Sequence, residues 1–229
     1  LNGTSISTRN DASSKVFQHG GINTADRKVD YREVTLDIIL TGEDQRDYRN
    51  KVDTLKAYLF RQGQKLFLDD ERYINISSLS SIDETFYDGF YMVRSNLSVT
   101  LLALDPFFYD VYDQRQTLDV TTNPQSININ NPGNADSPMT ISITANEAID
   151  NFSLKNVTDN GRLMTYSDAN FTTGKTLVVS NLDGTVTLAG TSTINNFSGT
   201  FLSLLAGNNT LTWTGGKCAI QIDFPVRWL

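Results

Sequence analysis

GNNTLTWTGGKCAIQIDF, residues 207–224, decides the fold. After the Gly-Asn-Asn turn, Leu211 and Trp213 fall on one side of the chain and Thr210, Thr212 and Thr214 on the other. A strand sends successive side chains to opposite faces, so this is a half-buried strand with a threonine face toward solvent. Beyond Gly215-Gly216, the residues Cys218, Ile220, Ile222 and Phe224 repeat the alternation. A tryptophan in such a place has two readings, a platform for stacking on a sugar ring or a core residue. Its leucine neighbour and the polar opposite face favour the core, where aromatic bulk fills a sandwich interior. Cys218 reads as a small core hydrophobe.

The same pattern recurs upstream. SININ (126–130), PMTISI (138–143), NFSLKNV (151–157), KTLVVS (175–180), GTVTLAG (184–190) and TFLSLLA (200–206) are short apolar-alternating runs between Gly, Asn, Asp and Pro turns. Such spacing without a helical period predicts an all-β sandwich over 125–229. Charge divides the chain too: residues 1–120 carry 33 charged side chains and residues 121–229 only 12. The shift falls near DVTTNPQS (119–126), which places a domain at 1–105, a linker at 106–124 and the sandwich at 125–229.

The first domain reads as β-rich with one helix. REVTLDIIL (32–40) puts Val34, Leu36, Ile38 and Leu40 on one strand face. In GEDQRDYRNKVDTLKAYLFRQG (42–63), Tyr48, Val52, Leu55 and Leu59 form an apolar stripe, predicting a helix near 43–62 with Thr41 as N-cap and Gly63 as stop. KLFLD (65–69) and RYINIS (72–77) read as strands around an Asp70-Glu71 turn, followed by strands GFYMVR (89–94) and NLSVTLLALD (96–105). The polar SSIDETFYDG (80–89) reads as a loop.

The residue inventory points away from catalysis. His19, the only histidine, stands in the polar stretch QHGG (18–21), and no GxSxG elbow is present for a serine triad. One cysteine rules out an intrachain disulfide and a Cys-based zinc site. Asp69, Asp70 and Glu71 suit a hairpin turn, and Asp83 and Glu84 a loop, so no carboxylate pair rises to a glycosidase centre. Gly20-Gly21 and Gly215-Gly216 lack the helix and Lys-Ser/Thr of a phosphate loop. No EF-type calcium spacing occurs. The reading is therefore no enzyme, no cofactor, no metal and no assignable catalytic residue. A net charge of −7 argues against electrostatic grip on nucleic acid. No run approaches the ~20 apolar residues of a membrane helix, and no signal-peptide pattern opens the chain. Eight Asn-x-Ser/Thr triplets, among them Asn75, Asn96, Asn151, Asn156 and Asn170, follow from an Asn-, Ser- and Thr-rich composition rather than from glycosylation.

Several stretches in order carry a resemblance: the opening LNG, the passage from REVTLDIIL through RQGQKLFLDDERY, LDPFFYD (104–110), NNPGNADSPMTISI (130–143), LAGNNTLTWTGG and FPVRWL (224–229). Together they resemble the distal tail proteins of long-tailed, siphovirus-type bacteriophages over nearly the whole chain. The resemblance implies an N-terminal belt domain and a C-terminal galectin-like or carbohydrate-module-like sandwich. It implies a homo-hexameric ring at the end of the tail tube, around the DNA exit channel, joining the tube protein above to hub or fibre proteins below. The implied location is the virion tail tip, after assembly in the host bacterial cytoplasm. A carbohydrate-binding adhesin is the alternative, and a β-sandwich glycosidase a third reading. With 14 basic and 19 acidic residues, the region up to residue 120 is expected to supply both faces of the ring, and 125–229 to stand alone as a monomer.

Overall fold

The computed structural model describes residues 8–9, 12–14, 21–23, 28–86 and 93–229. The LNG opening, His19 with Gly20, and most of GFYMVR lie outside the described residues. The chain is mainly β and divides into two units, Leu1–Phe108 with Leu229, and Tyr109–Trp228.

The first unit is organised by a three-stranded antiparallel sheet. Its strands are β1 (Arg32–Thr41), then, beyond helix α1 (Gln45–Leu59) and the hairpin β2 (Gln64–Phe67) and β3 (Arg72–Ile76), β4 (Ser78–Phe86) and β5 (Arg94–Ala103). The order is β1–β5–β4, with Leu36 opposite Val99 and Val99 opposite Ile82. The inward face is the predicted one: Val34, Leu97, Val99, Leu101 and Ala103 are buried.

Helix α1 begins later than expected, because β1 continues through Thr41, which pairs with Arg94. A residue held in a ladder cannot cap, so the cap is Asp44, whose carboxylate accepts the Asp47 N–H at 2.7 Å. Tyr48 and Val52 of the apolar stripe are buried, while Leu55 and Leu59 are half-buried. The Asp70-Glu71 turn forms as read: Asp69 Oδ1 accepts the N–H groups of Glu71 and Arg72 at 2.9 and 2.8 Å.

SSIDETFYDG requires a correction. Residues 78–86 are β4, paired with β5 along their length, and not a loop. The register shifts between Leu79 and Ser81, a bulge that carries the inward apolar residues at Leu79 and Ile82 three positions apart. The two-residue alternation that marks a strand is broken there.

The second unit is a two-sheet sandwich. Its strands are β6 (Gln114–Val120), β7 (Gln125–Asn131), β8 (Thr140–Ala145), β9 (Asn151–Asn156), β10 (Arg162–Ser167), β11 (Thr176–Ser180), β12 (Thr185–Leu188), β13 (Thr191–Ser192), β14 (Phe197–Gly199), β15 (Gly207–Thr214) and β16 (Cys218–Phe224). One sheet runs β6–β16–β8–β11–β12–β13 and the other β7–β15–β9–β10–β14. Their facing residues make one core, with Ile141, Ile143, Leu177, Ile220 and Ile222 from the first and Leu154, Met164, Leu211 and Trp213 from the second.

Residues 106–124 are not a linker. Within them β6 pairs with β16 over seven positions, from Gln114 opposite Phe224 to Val120 opposite Cys218, and Val120 is buried. The sandwich therefore starts before residue 125, and a cut at 120–125 removes one of its strands. TFLSLLA also departs from expectation, since only Ser203–Leu204 pairs there, with Ser137–Pro138.

Polar side chains fasten the sandwich loops. Asp168 accepts from the Asn170 N–H at 2.9 Å, Tyr166 Oη at 3.0 Å and Asn196 Nδ2 at 2.8 Å. The Asn170 backbone bond is the chief cause that holds its carboxyl below the usual carboxylate range. Asn156 is wholly buried; it donates to the Ser203 carbonyl and accepts from Thr158 and Asp159 N–H groups. That triplet is a turn fastener, and a glycan has no room on it.

Candidate functional site

Trp213 has no face to offer a ligand. It is 0% exposed, stacked on Phe152 with centroids 4.5 Å apart, and its Nε1–H donates to the Gly216 carbonyl at 3.2 Å. Above it, Gly215 lies so close that a Cβ would stand 2.6 Å from Phe152 Cβ and 3.1 Å from the indole. Close backbone approach, with no side chain between, seals the ring into the core.

Over that seal lies a cleft of about 430 Å³ between the loops 121–123, 147–151 and 215–217. It presents Thr122, Asn123, Glu147, Asp150 and Lys217, and no aromatic side chain. The Glu147 carboxylate already accepts the Lys217 N–H at 2.8 Å. A sugar entering here would meet hydrogen-bonding groups but no stacking surface.

Cys218 is fully buried, and burial pushes its thiol up to about 12. The thiolate is the reactive form. A thiol reagent such as dithiobis-nitrobenzoate is expected to leave the folded chain unmodified and to titrate one equivalent in denaturant. Rapid labelling of the native protein would show that the core around β16 opens.

The carboxylates considered from sequence are not brought together. Asp83 and Glu84 are neighbours in β4 and so point to opposite faces. Glu84 lies on the inward side, where it accepts the Tyr48 hydroxyl, which also bonds Ser95. Burial first, and this carboxylate second, raise the Tyr48 pKa, so the phenol stays neutral as a structural tie. Asp83 lies on the outward face. Among the described residues, no cluster of three or more His, Cys, Asp or Glu could hold a metal ion. No helix among them is long and apolar enough to cross a membrane.

What the outward face of the three-stranded sheet does present is a mostly polar surface, interrupted by the exposed Ile39 opposite Asn96 and by Leu102 opposite Glu33. Glu33, Thr35, Asp37, Asn96, Ser98, Thr100, Ser81, Asp83 and Thr85 occupy alternate positions on three adjacent strands. Asp37 and Asp83 flank Ser98 in one cross-strand row, and Ser98 Oγ donates to Asp37 at 3.1 Å. Arg94, at the strand end opposite Thr41, is the only cation on this face among the described residues of the three strands, since Arg32 falls on the inward face. The sequence reading passed over this face because it places one of its three strands in a loop.

Fold and face together describe a mainly β chain with an acidic, hydroxyl-rich sheet face. Residues 132–228 match the SPP1 Dit family model, described as the C-terminal domain of the siphovirus-type tail component. The distal tail family named from the sequence is thus the one the comparison finds. Among solved structures, the chain resembles the crystal structure of the SPP1 Dit protein, described as a paradigm of the hub adsorption apparatus in phages that infect Gram-positive hosts. The likeness covers 100% of this chain and 91% of that one, with a TM-score of 0.75 and 16% identity, a likeness of fold. No curated protein sequence matches significantly.

Proposed function

We propose that this chain is a non-enzymatic ring subunit at the distal end of a phage tail tube. Six copies join the tube protein above to hub or fibre proteins below, with the first unit as the belt. The observation that carries this reading is a fold shared over the whole chain with a hub adsorption protein, in a chain whose residues 132–228 match a tail-component domain. The location that follows is the tail tip of the virion.

The outward sheet face is the surface suited to the DNA exit channel. Protein binds DNA chiefly by exchanging condensed counterions for Lys and Arg side chains. A face with Glu33, Asp37 and Asp83 and a single marginal arginine has little to exchange, so DNA passes without being held. The adhesin alternative loses its aromatic, since Trp213 lies under the Gly215-Gly216 backbone.

Register between subunits comes from the mixed charges of the first unit, so salt tests the reading. Light scattering is expected to show rings at low ionic strength and a shift toward monomers near 1 M salt, where the screening length falls to about 3 Å. Rings that tighten with salt would place the interface on apolar contacts instead.

A further inference from the structure

Asp168, directly after β10, is only 8% exposed. Its Oδ1 accepts the Asn170 N–H at 2.9 Å and Asn170 Nδ2 at 3.0 Å, and its Oδ2 accepts Tyr166 Oη at 3.0 Å and Asn196 Nδ2 at 2.8 Å. No cation pairs with either oxygen among the described residues. A buried carboxylate without a counter-ion depends on its donors, and bonds to a charged acceptor are roughly twice as strong as neutral ones. The arrangement therefore rests on the charge.

These bonds join three segments: β10 through Tyr166, the loop 168–175 through Asn170, and the stretch 193–196 through Asn196. The far end of the loop is tied elsewhere. Gly174 N–H donates to the Ala145 carbonyl at 2.8 Å, and Ala145 N–H to that of Lys175 at 3.0 Å. Between the two ties the loop inserts Phe171, 1% exposed and edge-on against both Phe152 and Tyr166, where the Ile149 N–H meets its carbonyl at 2.9 Å. The titratable or charged groups around Asp168 are few. Tyr166 stands on β10, Lys175 donates through Nζ to the Asn170 carbonyl at 2.8 Å, and the Asp150 carbonyl accepts the Asp168 N–H at 3.0 Å. The 193–196 stretch contributes none.

We propose that Asp168 is an acid-released latch: when its carboxylate takes up a proton, the loop 168–175 and the stretch 193–196 come away from the sandwich while its two sheets stay folded. The opening uncovers Phe171. The inference is independent of the ring reading. The donors, the Asn170 N–H first, hold the Asp168 carboxyl below the usual range. A depressed folded value stabilises the closed loop at any pH above the free-carboxylate value of about 3.9, and that stability is lost as pH falls through the folded value. Release is therefore expected below about pH 4.

The test is hydrogen exchange read by mass spectrometry on the full chain between neutral pH and about pH 2, with each rate referred to an unstructured peptide at the same pH. The expected result is a reversible fall of at least about tenfold, the effect of one pKa unit, in the protection of 168–175 and 193–196, with β15 and β16 still protected. Asp168→Asn, which turns one acceptor into a donor, is expected to show that loss already at neutral pH, with no further step on acidification. Asn196→Ala removes one donor and is expected to move the release to higher pH. Protection kept in both segments throughout overturns the proposal. Loss that comes only together with β15 and β16 also overturns it, because that is unfolding of the whole unit. So does an Asp168→Asn chain as protected as the parent at neutral pH. Should that variant not fold, Asn196→Ala decides, and an unmoved release overturns the proposal.

Discussion

Trp213→Ala is expected to destabilise the second unit by about 3–5 kcal/mol, the range for deleting a buried large aromatic. The figure belongs at the upper end of what one substitution does, for three structural reasons. The indole is wholly buried between the two sheets, where collapse around the void would have to move the backbone of Gly215. Its stacking on Phe152 is lost, and Phe152 in turn packs edge-on against Phe171, so one deletion loosens an aromatic cluster. The Gly216 carbonyl loses its donor. Thermal and denaturant melts of the variant beside the parent measure this. A change below about 1 kcal/mol, the scale of an ordinary surface substitution, would mean that the indole is not the core residue described here.

Cutting the chain at residue 124 is expected to cost the sandwich more than cutting it at 108. A 125–229 fragment lacks β6, and with it the buried Val120, a loss of about 1.5–3 kcal/mol by itself. It also bares the full edge of β16, whose seven ladder positions then face solvent. An unprotected edge is a template for pairing with another chain. The 125–229 fragment should therefore melt well below a 109–229 fragment and aggregate on heating, while the longer one unfolds cooperatively. Equal melting temperatures would return β6 to the role of a linker.

What was legible in the sequence followed from strict alternation. β5, β8 and β16 each place apolar residues at every second position against a core and were read within two residues, whereas β15 begins at Gly207, three residues before the predicted start, because its Gly-Asn-Asn segment reads as a turn yet pairs with β7. The failures have separate physical causes. The bulge after Leu79 breaks the alternation of β4 and hid a strand that forms one-third of the polar face. β6 is an edge with only Leu118 and Val120 as apolar residues, so its pattern is too thin to separate from a loop. Thr41 has the chemistry of a cap but is held by the ladder to Arg94, and only tertiary pairing reveals that.

The candidate surface was less legible than the fold. Trp213 was settled by its neighbours in the strand, because burial there follows from alternation alone. The donors around Asp168 were not: they come from Tyr166, Asn170 and Asn196, and nothing local marks that convergence. Polar faces on adjacent strands likewise become one surface only when the register is known.

The claim on which the functional account depends is that the first unit makes the ring. Light scattering on the full chain and on fragments 1–108 and 109–229, at low ionic strength, tests it most directly. The account predicts a full-chain mass near six times 25.5 kDa, an oligomeric 1–108 fragment and a monomeric 109–229 fragment. A 109–229 fragment that assembles while 1–108 remains monomeric would contradict it.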